Sequence, residues 1–165
     1  MKDFERPETR INHPLSAPEA LSKILRYCAY QERSHREVKN KLFQYGLQAS
    51  DVDEILSHLI TEGFLNEERY AKAFAGGKFR IMKWGKIKIQ RELETVGVSP
   101  RNINCGLLEI NASDYSKTIC DLIKRKTGQV SEENLFKKKN RVARFVIGKG
   151  FEPELVWNAV NDLVG

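Results

Sequence analysis

Residues 38–59 read VKNKLFQYGLQASDVDEILSHL, residues 89–110 read IQRELETVGVSPRNINCGLLEI, and residues 142–163 read VARFVIGKGFEPELVWNAVNDL. Aligned on Gly46, Gly97 and Gly150, the three stretches are apolar at the same places. Eight residues before the glycine stand Val38, Ile89 and Val142, and four before it Leu42, Leu93 and Val146. One after it come Leu47, Val98 and Phe151; six after it Val52, Ile103 and Val156; ten after it Leu56, Leu107 and Val160. The glycines lie 51 and then 53 residues apart, so the chain repeats itself with a period near fifty.

Apolar positions one turn apart make the stretch before each glycine an amphipathic helix with a single stripe toward a core. The glycine then closes it in the left-handed conformation, and the next apolar residue folds back on the last turn. Restart signals follow within a few residues: Ser50 before Asp51, Ser99 before Pro100, Glu152 before Pro153. A further helix precedes each pair, over Ala20–Gln31, Glu67–Arg80 and Asp114–Arg125. The expected architecture is therefore all-α, three tandem three-helix repeats over residues 20–64, 65–112 and 113–165. Residues 1–19, with Pro7, Pro14 and Pro18, have no repeat counterpart and read as an extended N-terminal arm.

Local chemistry sharpens the boundaries. Ser34 to Glu37 is an S-x-x-E capping box, which gives His35 a structural setting. Asn66 followed by Glu67 and Glu68 suits a helix start, and TGQVSEEN, residues 127–134, reads as a polar loop inside the third repeat. Nine residues after the central glycine, Ile55 and Ala159 of the outer repeats are matched by Gly106, which either loosens its helix or lets another backbone approach. Cys28, Cys105 and Cys120 are odd in number, widely spaced and set among apolar neighbours, so they read as small buried hydrophobes rather than disulfide or zinc ligands. No apolar run reaches membrane-spanning length and MKDFERPETR has no signal core, which points to the cytoplasm.

The net charge of +6 is unevenly spread. Residues 1–64 hold 9 Lys and Arg against 10 Asp and Glu, residues 65–116 hold 9 against 6, and residues 117–165 hold 10 against 6. The basic excess belongs to the second and third repeats, where it either faces an anionic partner or forms a solvated exterior.

GFLNEERYAKAF, residues 63–74, followed by KFRIMKWGKIKIQRELETVGV, residues 78–98, resembles the central signature of the RecX regulators of bacterial RecA recombinase. HREVKNKLFQYG with DVDEILSHLITEGFLNEERYA is similar to that family's first repeat, and KKKNRVARFVIGKGFEPELVWNAV to its third, so the resemblance spans roughly residues 20–163. It implies an elongated, curved arrangement of the repeats and a modulator rather than an enzyme. The implied partners are a RecA filament and the DNA it carries, single-stranded or within the filament. The implied effect is inhibition of ATP hydrolysis and strand exchange, with filament disassembly favoured, in homologous recombination and the SOS response to DNA damage. A monomer with no cofactor and no metal is expected.

Comparing the repeats locates the candidate contact. Nine residues before the glycine stand Glu37, Lys88 and Arg141; six before it Asn40, Arg91 and Arg144; eleven before it His35, Lys86 and Lys139. The second and third repeats are basic where the first is not. Positions three apart share a helical face, and these lie off the core stripe. Lys78, Arg80 and Lys83 extend the patch in repeat two, and Lys137, Lys138 and Lys149 in repeat three. From Lys78 to Arg91 there are six basic residues and no acidic one, a pattern suited to phosphate or acidic-partner contact. Phe79, Ile81 and Met82 read as a core seam or a helix junction, and Trp84 as the aromatic to probe for base stacking.

Catalytic patterns are missing from the sequence. GGKF at Gly76 and GKIK at Gly85 lack the Ser or Thr of a phosphate-binding loop, HExxH and GxSxG do not occur, and His13 and His58 have no spaced metal partner. Two rival readings remain: a free-standing DNA-binding helical protein, marked by steep salt dependence, and a helical adaptor whose charges are incidental.

Overall fold

The computed structural model describes residues 13–165, and residues 1–12 of the expected arm lie outside the described residues. Every regular element among them is helical: α1 (Ala17–Tyr30), α2 (His35–Gln44), α3 (Ala49–Thr61), α4 (Glu67–Gly77), α5 (Lys86–Thr95), α6 (Pro100–Leu108), α7 (Ala112–Gln129), α8 (Leu135–Gly148) and α9 (Pro153–Leu163). They form three successive triplets, as the glycine pattern predicts. Gly46, Gly97 and Gly150 close α2, α5 and α8 at φ of 85°, 83° and 94°, in the left-handed region where a β-carbon is strained. The chain divides into two compact units, one ending at Asn66 and the other running from Glu67 to Gly165.

The first unit is one three-helix repeat. Ser34 and Glu37 form the expected box: the Ser34 amide donates to the Glu37 carboxylate at 2.7 Å, and the Glu37 amide donates to Ser34 Oγ at 3.1 Å. A second box, Ser16 with Glu19, starts α1 at Ala17, inside the segment read as an extended arm. The sequence sign, S-A-P-E, was hidden among prolines. Ahead of it Leu15 donates its amide to the Tyr45 carbonyl at 2.9 Å, so residues 14 and 15 lie on the turn that ends α2. The restart at Ser50 is corrected: α3 begins at Ala49 behind Gln48, leaving Ser50 inside the helix and exposed. Ile24, Val38, Leu42, Val52 and Leu59 are fully buried in this unit's core. Each is worth roughly 1.5–3 kcal/mol of transfer free energy against the conformational entropy of ordering the helices.

The second unit holds repeats two and three around one continuous core that includes Ile89, Leu93, Ile123, Val142, Val146, Phe151, Val156 and Val160, all inaccessible to solvent. Here Gly106 permits close approach: a β-carbon on it would lie 2.7 Å from the Ala71 carbonyl oxygen, so α6 packs almost backbone to backbone on α4, beside the small side chains Ala71 and Ala75. Ser99 and Glu152 stand at the N-caps of α6 and α9 as expected, yet neither side chain caps its own helix. At α6 the acceptor comes instead from α4. Glu67 accepts the Ser99 amide at 3.3 Å, the Ser99 hydroxyl at 2.9 Å and the Asn102 amide nitrogen at 2.5 Å. Glu67→Ala strands those donors at a half-buried site and is expected to cost about 1–3 kcal/mol, seen as a lower melting temperature by calorimetry. An unchanged melting temperature would show the tie to be incidental.

Two further expectations are corrected. The helix α7 runs to Gln129, so Thr127–Gln129 are helical and the loop is confined to Val130–Asn134; Thr127 donates its hydroxyl to the Ile123 carbonyl at 2.8 Å within that last turn. Of the cysteines only Cys28 is buried, with burial raising its thiol pKa, whereas Cys105 and Cys120 are half-buried. No helix among the described residues is long and apolar enough to cross a membrane.

Candidate anionic-partner surface

The basic residues of α5 are fixed by a contact between backbones. Gly85 donates its amide to the Lys149 carbonyl at 2.8 Å, and Ile87 donates to the Gly150 carbonyl at 3.0 Å. A β-carbon on Gly85 would fall 2.2 Å from the Gly150 carbonyl carbon, so nothing larger than glycine fits there. Tyr115 of α7 completes the joint. Its hydroxyl accepts the Lys86 amide at 2.9 Å and donates to the Glu152 carboxylate at 2.5 Å, and its ring lies 5.7 Å from that of Phe79 and 5.0 Å from that of Phe151. Burial, then the adjacent carboxylate, push the tyrosine pKa far above its ordinary value, so the phenol stays a donor. The start of α5, the end of α8 and the start of α9 are thus held in one arrangement within the second unit.

Between α4 and α5 the helix widens into a π turn, Lys78–Met82, and stops at Lys83, the one non-glycine residue with positive φ (55°) among the described residues. Of the two readings of Phe79, Ile81 and Met82, core seam or helix junction, the structure has the junction. Phe79 is buried, but Ile81 is 79% and Met82 47% exposed. The spacing explains it. Tyr70 and Phe74 are one α-turn apart, while Phe79 follows five residues later; the extra residue of the π turn keeps Phe79 on the core face and carries residues 81 and 82 off it. Covering the exposed part of Ile81 is worth about 1.5–2 kcal/mol and that of the already half-covered Met82 about 1 kcal/mol. Trp84 is half-buried against the core, with Lys78 Nζ 5.0 Å and Lys88 Nζ 4.3 Å from its ring centroid, so lysines occupy the place where a base would stack.

The ten candidate residues all fall in the second unit but not in one state. Lys78, Lys86, Lys88 and Lys149 are half-buried and lie over aromatic rings; Lys86 sits 5.0 Å from Tyr115 and Lys149 5.7 Å from Phe145. Lys149 also donates to the Met82 carbonyl at 3.4 Å. Arg80, Lys83, Arg91, Arg141 and Arg144 are exposed, and Lys139 is half-buried on α8. Arg141 is partly neutralised by Glu132, 3.5 Å away.

Two open grooves gather most of the equivalent pairs. Lys88 and Arg91 of α5 line one of about 510 Å³ together with Glu92, Ile147 and the turn at Gly150. Arg141 and Arg144 of α8 line another of about 590 Å³ together with Lys126, Gln129 and Phe145. Lys126, 4.7 Å from the Phe145 ring, is absent from the sequence-derived set. Its sign was KRK at residues 124–126, in the last turn of α7 beside the loop, a run whose position the expected helix end at Arg125 obscured.

Fold and surface together define a class: tandem three-helix repeats whose second and third copies carry open grooves lined by basic and aromatic side chains. Three family models divide the chain in the same way, matching RecX first three-helix domain over residues 20–59, RecX second three-helix domain over residues 66–107 and RecX third three-helix domain over residues 113–160. The chain belongs to the RecX family. It is 27% identical over 158 residues to Regulatory protein RecX of Geobacillus kaustophilus (strain HTA426), covering 94% of this chain and 59% of that protein. Against Regulatory protein RecX of Pasteurella multocida (strain Pm70) it is 27% identical over 145 residues, covering 87% of this chain and 86% of the relative. The chain spans about three-fifths of the length of the Geobacillus and Lactobacillus delbrueckii relatives. In fold it is similar to the crystal structure of RecX from Lactobacillus salivarius, with a TM-score of 0.81 at 20% identity over 89% of this chain and 96% of that one.

Proposed function

We propose that this chain is a negative modulator of a RecA recombinase, binding the filament on DNA and inhibiting its ATP hydrolysis and strand exchange. The match of all three RecX domains, in order, over residues 20–160 carries the reading. The cationic grooves supply its physical means. Lys88 with Arg91, and Arg141 with Arg144, would meet phosphates or carboxylates of the filament, with Lys78, Arg80, Lys83, Lys86, Lys139 and Lys149 adding to the local potential. The protein acts by occupying a surface, as a monomer and without cofactor or catalysis, in the cytoplasm where recombination and the SOS response take place.

Titrating the chain into a RecA reaction on single-stranded DNA is expected to lower the rate of ATP hydrolysis. An unchanged rate would overturn the proposal. Tight binding to bare duplex without recombinase, with a log–log salt slope of about 0.9 per phosphate neutralised, would favour the free-standing DNA-binding reading instead.

A further inference from the structure

The π turn ends in an apolar tip that the fold leaves bare. Ile81 and Met82 stand 79% and 47% exposed, between Arg80 on one side and Lys83 on the other. The tip is held stiffly from beneath. Phe79 is anchored in the core, Lys83 donates its amide to the Phe79 carbonyl at 3.1 Å, Trp84 donates to the Lys78 carbonyl at 3.3 Å, and Lys149 reaches the Met82 carbonyl. The left-handed backbone at Lys83 is a conformation that lysine adopts only at a cost, one that the surrounding contacts sustain. An exposed aliphatic pair on a strained, well-braced turn serves no purpose in the core, which Phe79 already fills.

We propose that Ile81 and Met82 are a protein-docking anchor, which inserts into an apolar pocket with a carboxylate rim on the recombinase filament, Arg80 and Lys83 pairing with that rim. The inference rests on the proposed function and assigns the protein, rather than the DNA, as what this tip touches. Charge complementarity fixes the rim: from residue 78 to 91 every charged side chain is basic. Chemistry chooses between protein and nucleic acid. Bases stack on flat aromatic faces, but of the aromatics flanking the tip Phe79 is buried and Trp84 is covered by Lys78 and Lys88. An aliphatic pair could enter a base step only as a wedge, at the expense of unstacking it, whereas a protein pocket returns the burial of what both side chains leave exposed without that expense. Buried anchors ringed by charge are the usual seat of binding energy in protein interfaces.

The test compares the intact chain with the double variant Ile81→Ala/Met82→Ala. Both positions are exposed, so helical circular dichroism and Trp fluorescence should stay unchanged. The concentration giving half-inhibition of RecA ATP hydrolysis on single-stranded DNA should rise about tenfold or more, with affinity for a bare fluorescent oligonucleotide unaltered. Unaltered inhibition by the double variant would overturn the anchor while leaving the proposed function standing. A parallel loss of oligonucleotide affinity would also overturn it, by assigning the tip to DNA. Absence of inhibition by the intact chain would overturn both.

Discussion

Gly150→Ala is expected to destabilise the second unit by about 2–5 kcal/mol, the sum of roughly 1–2 for a left-handed residue with a β-carbon and roughly 1–3 for overpacking. Gly150 has a φ of +94°, and a β-carbon on it would sit 2.2 Å from Lys88 Cβ and 2.7 Å from the Lys88 amide nitrogen. Relief requires α5 to back away from the α8–α9 turn, which endangers the Gly85–Lys149 and Ile87–Gly150 hydrogen bonds and the Lys86–Tyr115 contact as well. Gly97 supplies the internal control. It occupies the same place in the preceding repeat at φ +83°, but a β-carbon there would meet nothing within 4 Å. Gly97→Ala should therefore cost only the backbone part, about 1–2 kcal/mol. Both tryptophans, Trp84 and Trp157, lie in the second unit, so urea unfolding followed by Trp fluorescence reads this comparison alone. Equal losses at the two glycines would mean that the backbone contact between α5 and Gly150 is not a tight one.

The second large effect is functional. The combined variant Lys88→Glu, Arg91→Glu, Arg141→Glu and Arg144→Glu should abolish inhibition of the recombinase. Each phosphate neutralised contributes about 0.7–0.9 to the log–log salt slope, so four such contacts are worth roughly three decades of affinity at about 0.1 M salt. Stability should change far less. Arg91, Arg141 and Arg144 are exposed; the main internal losses are the Lys88 contact with Trp84, about 0.5–1 kcal/mol, and the Arg141–Glu132 ion pair, which becomes a like-charge neighbour. Helical circular dichroism and the Trp fluorescence transition would verify that the variant is folded. Full inhibition by such a variant would remove these four residues from the contact.

The repeat was legible because burial imposes it. The apolar positions counted from Gly46, Gly97 and Gly150 are buried in all three copies, apart from Leu56 and Leu107, which are half-buried. A helix stripe and a left-handed stop are local properties, and local properties repeat with the sequence. What escaped was long-range or irregular. Glu67 finds Ser99 and Asn102 across more than thirty residues, and Tyr115 finds Lys86 and Glu152 across similar separations. No spacing rule connects them. The π turn did leave a sign, the five-residue step from Phe74 to Phe79, but a reading in α-helical turns left Ile81 and Met82 between a core seam and a helix junction. The candidate cations were found by comparing repeats, which separates added charge from shared architecture. That comparison could not show which lysines lie down on aromatic rings, nor bring in Lys126 from another helix.

Co-sedimentation with RecA filaments on single-stranded DNA tests the central claim most directly. The chain should pellet with the filament, and the four-residue charge-reversed variant should stay in the supernatant. Equal pelleting of both, or of neither, would contradict the account that the cationic grooves of the second unit hold this protein on its filament.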